Sequence, residues 1–393
     1  MASENKPTEG ALRPLWRECY ASAGRLVAVA EVGHCGQMKR LLFPLLCLAL
    51  WPGLAIGDTT LFKALSGRDD APMLTVYSSL DEPLAKPMIA GFQAANPDVA
   101  VRYEDMLTGE IYDRIVRETD AGDKTADFAF SSAMDLQVKL ANDGYAQRSD
   151  LPMSGQWPGW ANWRNTAYAL TFEPAVFVYH KPSFKDSSPP STRAELVEFL
   201  QKRGDAVYGR IGTYDIERSG VGFLFMARDQ EQFGDIWSVI RAMGAAGVKL
   251  YSTSQGILER VADGRFLLGY NILGSYAADW ASRHPDVGIV LPKDYTVVMS
   301  RIGLVPQAAA APDLGKRYLE FFMSKEGQTI MARELQIPAV SPEVAGNNTA
   351  TTLREMLGGQ LKPVPVSLGL MVYLDQVKRA RLISRWNEVL RLQ

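Results

Sequence analysis

The stretch 73-MLTVYSSLDEPLAKPMIAGFQAANPDVAVRYEDMLTGEIYDRIVRETDAGDKTADFAFSSAMDLQVKLANDGY-145 decides how this chain folds. Three β-rich runs, 73–79, 99–105 and 126–132, alternate with three segments whose apolar residues recur at helical spacing. Asn96-Pro97 stops the first helix and Gly144 the last. Such βαβαβα order predicts an α/β lobe built on a largely parallel sheet. The strands end in, or lead into, hydroxyl residues, Ser78-Ser79, Thr108-Gly109 and Ser131-Ser132, at the sheet edge where ligands of such sheets gather.

Downstream, a Trp- and Gly-rich loop at 152–163 precedes "YALTFEPAVFVYHK" (168–181), two β-rich halves divided at Glu173-Pro174. They read either as a strand passing between lobes or as two strands of one sheet. "TRAELVEFLQKR" predicts a helix started by Ser191 or Thr192, "GRIGTYD" a strand, and "SGVGFLFMARDQ", "DIWSVIRAMGAAG" and "SQGILERVADG" further helices. Strands "RFLLGYN" and "GIVLP" complete a second α/β lobe. "YTVVMSRIGLVP" (295–306) reads as a strand heading elsewhere, before a helical stretch at 312–334 with a turn at Ser324. The final helix carries Leu382, Ile383, Trp386, Val389 and Leu390 as one apolar stripe suited to docking on the body. Residues 58–72, upstream of the first strand, read as a loose strap.

Further upstream, "MKRLLFPLLCLALWPGLAIGD" begins at Met38. Lys39-Arg40, an apolar run from Leu41 to Trp51 and the small-residue exit Ala55-Ile56-Gly57 have the layout of a secretory signal peptide. A bilayer span wants roughly 20 apolar residues and suits this run less well. Cys47 lies inside the run rather than after it, which argues against lipidation. Residues 1–37 carry four basic and four acidic residues and read as an over-extended start, with Met38 the expected first residue.

All three cysteines, Cys19, Cys35 and Cys47, fall in these segments. An exported chain starting at Asp58 therefore offers no thiolate for catalysis, zinc or iron–sulfur chemistry. His180 and His284 stand far apart without a metal-binding spacing. From residue 58 onward, 36 Lys and Arg face 40 Asp and Glu, so no overall basic field exists for nucleic acid. No hydrolase elbow, P-loop or dinucleotide fingerprint occurs in a strand-to-helix context, which leaves binding favoured over catalysis.

The three hydroxyl sites of the first lobe can bind an anion through free backbone N–H groups at helix starts, or simply cap those helices. In the second lobe, "TYDIERSGVG" offers Thr213 and Tyr214 after a strand and Arg218-Ser219 before a helix. That is a guanidinium, hydroxyl and helix-start clamp, unless Arg218 pairs with Asp215 or Glu217. "GYNILGSYAADW" adds Tyr270, Asn271, Ser275 and Tyr276, and Ser300-Arg301 is a weaker candidate on the returning strand.

"LTVYSSLDEPLAKPMIAGFQAANPDV", "ADFAFSS", "YALTFEPAVFVYHKPSF", "LLGYNILGSYA", "GIVLPKDYTVVMSRIGLVPQAAAAPDLGKRYLEFFMSKEGQ" and "LDQVKRARLISRW", taken in order, resemble a bacterial ABC-transporter solute-binding protein. The branch resembled is the iron(III)-type extracellular family, including proteins of the phosphoglycerate transport regulatory kind. The resemblance covers about residues 73–393. It implies an α/β, two-lobed periplasmic-binding-protein fold, type II-like, with a ligand cleft between the lobes. Lobe 1 would take 73–170 with part of 300–345, lobe 2 175–290, and 346–393 would form a helical segment packed on both. It also implies a periplasmic location, an inner-membrane permease as partner, and for the regulatory kind a membrane histidine kinase.

Iron carriers of the family present two adjacent tyrosines to the metal. Here the matching Gly274-Ser275-Tyr276 retains one, which weakens ferric binding and favours an oxyanion. The expected ligand is a small phosphorylated or carboxylated metabolite held by Ser78, Ser79, Thr108, Ser131, Ser132, Thr213, Arg218, Ser219, Asn271, Ser275 and Tyr276, with no cofactor. Ferric carriage and ligand sensing as the partner of a membrane histidine kinase are the alternatives.

Overall fold

The computed structural model describes residues 58–391; the segments read above as 1–37 and 38–57 lie outside them. In chain order come β1 (Asp58–Phe62), β2 (Met73–Ser78), α1 (Glu82–Ala95), β3 (Ala100–Asp105), α2 (Thr108–Asp120), β4 (Phe128–Ser131) and α3 (Met134–Asn142). The alternation of 73–145 is real, and β2 lies parallel between β3 and β4. The strap expected at 58–72 is corrected at its start. β1 pairs antiparallel along β3 and covers what would otherwise be a bare sheet edge.

β5 (Asn162–Trp163) and β6 (Ala167–Ala169) end the first pass through this sheet. The chain then enters a second sheet at β7 (Glu173–His180). There follow α4 (Arg193–Arg203), β8 (Ile211–Tyr214), α5 (Gly220–Gln232), α6 (Ile236–Ala245), β9 (Lys249–Tyr251), α7 (Ser254–Ala262), β10 (Leu268–Leu273), α8 (Gly274–Arg283), β11 (Val287–Val290) and β12 (Thr296–Met299). α4 is started by Thr192, whose hydroxyl accepts from the Glu195 N–H. β8 runs parallel to β9 and β10, whereas β7 is antiparallel to β10, β11 and β12.

β13 (Ile302–Leu304) returns to the first sheet between β4 and β6, antiparallel to both. The sheet of the first lobe is therefore parallel only at its centre. The stretch read as one strand at 295–306 is two strands in two sheets, and 168–181 divides the same way. Pairings Val298↔Pro174, Met299↔Glu173 and Ile302↔Ala169 show that the outward and return passages run side by side. The Arg301 N–H donates to Thr171 Oγ1 at 2.7 Å between them.

α9 (Pro312–Met323) and α10 (Lys325–Arg333) pack on the first sheet and on α1, with Ser324 capping α10 at the expected turn. Tyr318 and Phe322 meet Phe128 there at ring-centroid distances of 5.2 and 5.5 Å. α11 (Ala350–Leu357), β14 (Leu361–Pro363) and α12 (Gln376–Arg391) close the described chain. The C-terminal segment, expected to be helical, also contributes a strand, since β14 pairs parallel with β12. α12 buries Trp386 and Val389 and packs on α6 in the second lobe. A Cβ at Gly244 would sit 2.9 Å from the Leu390 carbonyl oxygen, so glycine lets these helices approach closely.

Candidate functional site

Because each strand of a parallel βαβ unit hands its chain to a helix at the same sheet edge, helix N-termini collect there. α1, α2 and α3 begin at the cleft-facing edge of the first lobe, and α5, α7 and α8 at that of the second. Between them lies a cavity of ≈ 720 Å³. Ser79, Asp81, Asp105, Thr108, Glu110, Asp113 and Ser132 line it from the first lobe. Tyr214, Arg218, Ser219, Ser252, Thr253, Ser254, Gln255 and Tyr276 line it from the second, and Arg301 comes from the return passage.

Six of the eleven predicted residues are thereby brought together: Ser79, Thr108, Ser132, Arg218, Ser219 and Tyr276. Ser79 Oγ accepts from the Ser132 N–H at 3.1 Å, tying the ends of β2 and β4. Ser219 accepts from the Gly222 N–H and caps α5. Arg218 is not held in a tight pair, since its Nε lies 3.9 Å from Asp215 Oδ2 and its side chain is 80% exposed.

The other five do not line the cavity, each for a local reason. Ser78 and Ser131 precede their cleft-lining neighbours by one residue. Both are buried, and their hydroxyls accept from the Leu80 and Ala133 N–H groups. Thr213 donates to the Tyr270 carbonyl inside the second sheet. Asn271 sits in a bulge of β10 with φ +56°, a left-handed conformation asparagine tolerates, and its amide donates to buried Asp229 at 2.6 Å. Ser275 donates to Glu173.

Sequence reasoning missed the carboxylates. Asp81, Asp105 and Glu110 follow or end strands just as the hydroxyls do, so the same positional signal marks them. Ser252–Gln255 likewise follows β9 in "KLYSTSQ", a strand end before a helix. Arg301, ranked lower at first, is the central cation: 1% exposed, with Nη1 donating to the Ser79 carbonyl at 3.0 Å. Its Nε faces Glu173 Oε1 at 3.2 Å as an ion pair without hydrogen-bond alignment. Burial opposes the Arg301 charge, but Glu173, Tyr276 and Asp81 outweigh it and raise its pKa.

The lobes touch across the cleft. Tyr276 OH donates to Asp81 Oδ1 at 2.6 Å. A Cβ at Gly220, the first residue of α5, would lie 3.0 Å from Thr108 Oγ1 and 3.5 Å from Ala133 Cβ. Burial pushes the Tyr276 phenol well above its ordinary pKa, with Arg301 lowering it and Asp81 raising it further. Among the described residues no group of three or more His, Cys, Asp or Glu is placed to hold a metal ion.

Two α/β lobes joined by paired passages, with helix N-termini facing a cavity between them, define a two-lobed ligand-binding protein. Residues 87–356 match the family described as bacterial extracellular solute-binding protein. A substrate-binding protein of an ABC transporter from Agrobacterium tumefaciens is 80% identical, with a TM-score of 0.84 over 86% of this chain and 100% of its own. The chain belongs to the bacterial extracellular solute-binding proteins of ABC transporters. More distant structures share the fold. Iron-bound HitA from Pseudomonas aeruginosa has 15% identity and a TM-score of 0.64, covering 81% of this chain and 99% of its own. AfuA from Actinobacillus pleuropneumoniae with fructose-6-phosphate has 16% identity and a TM-score of 0.64, covering 82% and 99%. Comparison with curated protein sequences returns no match.

Proposed function

We propose that this chain works in the periplasm, capturing a small solute with a phosphate or carboxylate group and delivering it to an inner-membrane permease. One observation carries the reading. The starts of α5, α7 and α8 carry no acidic residue in the cap or first turn and face one cavity together with Arg218 and Arg301. A helix start presents roughly half a positive charge and free N–H donors, so several converging starts favour an anion. The fructose-6-phosphate complex of AfuA is a case of a phosphate-bearing ligand on this fold. In this reading, Ser79, Thr108 and Ser132 meet the anion from one lobe and Arg218 and Ser219 from the other. Binding both sets at once favours the closed arrangement, because the ligand gains contacts there that an open form lacks.

Native mass spectrometry of protein purified without added solute weighs what it carries; a phosphate or carboxylate compound is expected, and a species without an acidic group would overturn the reading. Calorimetry with that compound should show Arg218→Ala weakening binding at least tenfold while thermal stability stays within a few degrees. Unchanged affinity removes Arg218 from the site.

A further inference from the structure

The anion reading leaves the opposite charge in the cleft unexplained. Four carboxylates, Asp81, Asp105, Glu110 and Asp113, line the cavity against two guanidinium groups, and one of those, Arg301, already pairs with Glu173. The acids are not spread evenly. All four come from the starts of α1 and α2 or the strand before α2. Asp105 Oδ2 accepts from the Glu82 N–H at 3.1 Å, and Asp81 occupies the N-cap position of the same helix. Glu110 accepts from the Leu107 N–H at 3.1 Å at the start of α2. A helix start offers about half a positive charge, so two full negative charges at α1 leave that end net negative.

The starts of α5, α7 and α8 carry no acidic residue in the cap or first turn, and that of α3 carries only the buried Asp135. Donors and carboxylates therefore stand next to each other in the cavity: the start of α5 abuts that of α2, where a Cβ at Gly220 would lie 3.0 Å from Thr108 Oγ1, and Tyr276 of α8 donates to Asp81 at the start of α1. A simple anion would leave these carboxylates repelling it inside a partly desolvated cavity, where like charges are costly. A metal ion does not resolve this, because the carboxylates do not converge on one point.

Resting on the anion-receptor reading, we propose that the natural solute is a zwitterion. Its phosphate or carboxylate lies against Ser132 and the starts of α5 and α7 with Arg218, and its ammonium group lies between the carboxylates of Asp81, Asp105 and Glu110. An ammonium donates three hydrogen bonds and suits several separated carboxylate oxygens better than one chelating set.

Calorimetry on the purified full chain, dialysed free of solute, tests this with matched pairs: phosphoethanolamine against ethyl phosphate, and β-alanine against propanoate, with fructose 6-phosphate and putrescine as further probes. The amine-bearing member of at least one pair should bind tenfold or more tighter than its partner. Asp105→Asn, which keeps an acceptor for the Glu82 N–H, and Asp113→Asn, on the exposed side of α2, should each reduce that preference several-fold; Arg218→Ala should weaken both members alike. Equal affinity within both pairs, or tighter binding of fructose 6-phosphate than of either amine, overturns the zwitterion and leaves the anion receptor standing. Binding of putrescine alone overturns both readings, and heat from none of the six overturns the zwitterion.

Discussion

Arg193 and Arg301 are both fully buried, yet they do different things because their partners come from different places. Around Arg193 everything belongs to the second lobe. Nη2 meets Asp229 at 3.0 Å, Nη1 meets Asp294 at 3.1 Å and the Tyr295 carbonyl at 3.0 Å, and Nε donates to the Tyr270 hydroxyl. Its guanidinium also lies 3.5 Å over the Tyr295 ring. Burial works against that charge, and the surrounding Tyr270, Asp229, Tyr295 and Asp294 more than restore it. Arg301 instead touches Ser79 in one lobe, Glu173 in the passage and the face of Tyr276 in the other, 5.7 Å from its ring centre. A buried charge ringed by one body fixes that body; a buried charge shared by two bodies reports on how they meet.

The largest effect should come from breaking the closed ring. Arg193→Met removes two ion pairs at once, leaves buried Asp229 charged with only Tyr270, Asn271 and Tyr295 to hold it, and should cost about 3–5 kcal/mol in urea unfolding, while whatever folds binds solute normally. Arg301→Met should cost less, about 3 kcal/mol, because it ends one ion pair rather than two and Thr171 and Ser275 still donate to Glu173. Unlike the first variant, it should also weaken solute binding tenfold or more and raise the radius of gyration in X-ray scattering. Equal binding by both variants would erase the distinction between the two arginines.

Asp135 sharpens it from the other side, as a buried charge with neither arrangement. Its Oδ1 has no hydrogen-bond partner, and burial pushes its carboxyl up to about 6, only partly offset by a backbone hydrogen bond from Leu136 and by Arg379. The native state thus holds a proton more tightly than the unfolded chain. Its contribution is full below pH 4 and is lost as pH rises through about 6. Asp135→Asn should therefore stabilise by about 2–3 kcal/mol at pH 7.5 and by almost nothing at pH 4, read as melting temperature at each pH. Smallest is Tyr276→Phe, which removes one hydrogen bond between lobes. It should lower stability by about 1–2 kcal/mol and shift scattering toward the open form.

The alternation of 73–145 was readable because each strand and helix there carries its own periodicity and stop signal. β1 was not, since five residues, DTTLF, have no pattern of their own and take their conformation from pairing with β3. Nor can a strand's local pattern name its partner, which is why parallel centres with antiparallel flanks came only with the structure. In the site, the pairs Ser78-Ser79 and Ser131-Ser132 show the limit. Adjacent residues at a strand end point opposite ways, so one hydroxyl of each pair reaches the cavity and the other folds back on the chain. Asp81 and Asp105 occupied the right places in the sequence but not the chemistry being sought.

The C-terminal segment adds a constraint on travel. Leu368–Leu374 rests on α3 of the first lobe, and α12 rests on α6 of the second, with Arg379 over Phe223 at 4.2 Å and Arg385 over Trp237 at 4.2 Å. Beyond the two passages at 170–174 and 299–302, the halves therefore share a strap on the outside. A third tie between the halves, placed away from the cleft, should limit how far they part when the cavity is empty.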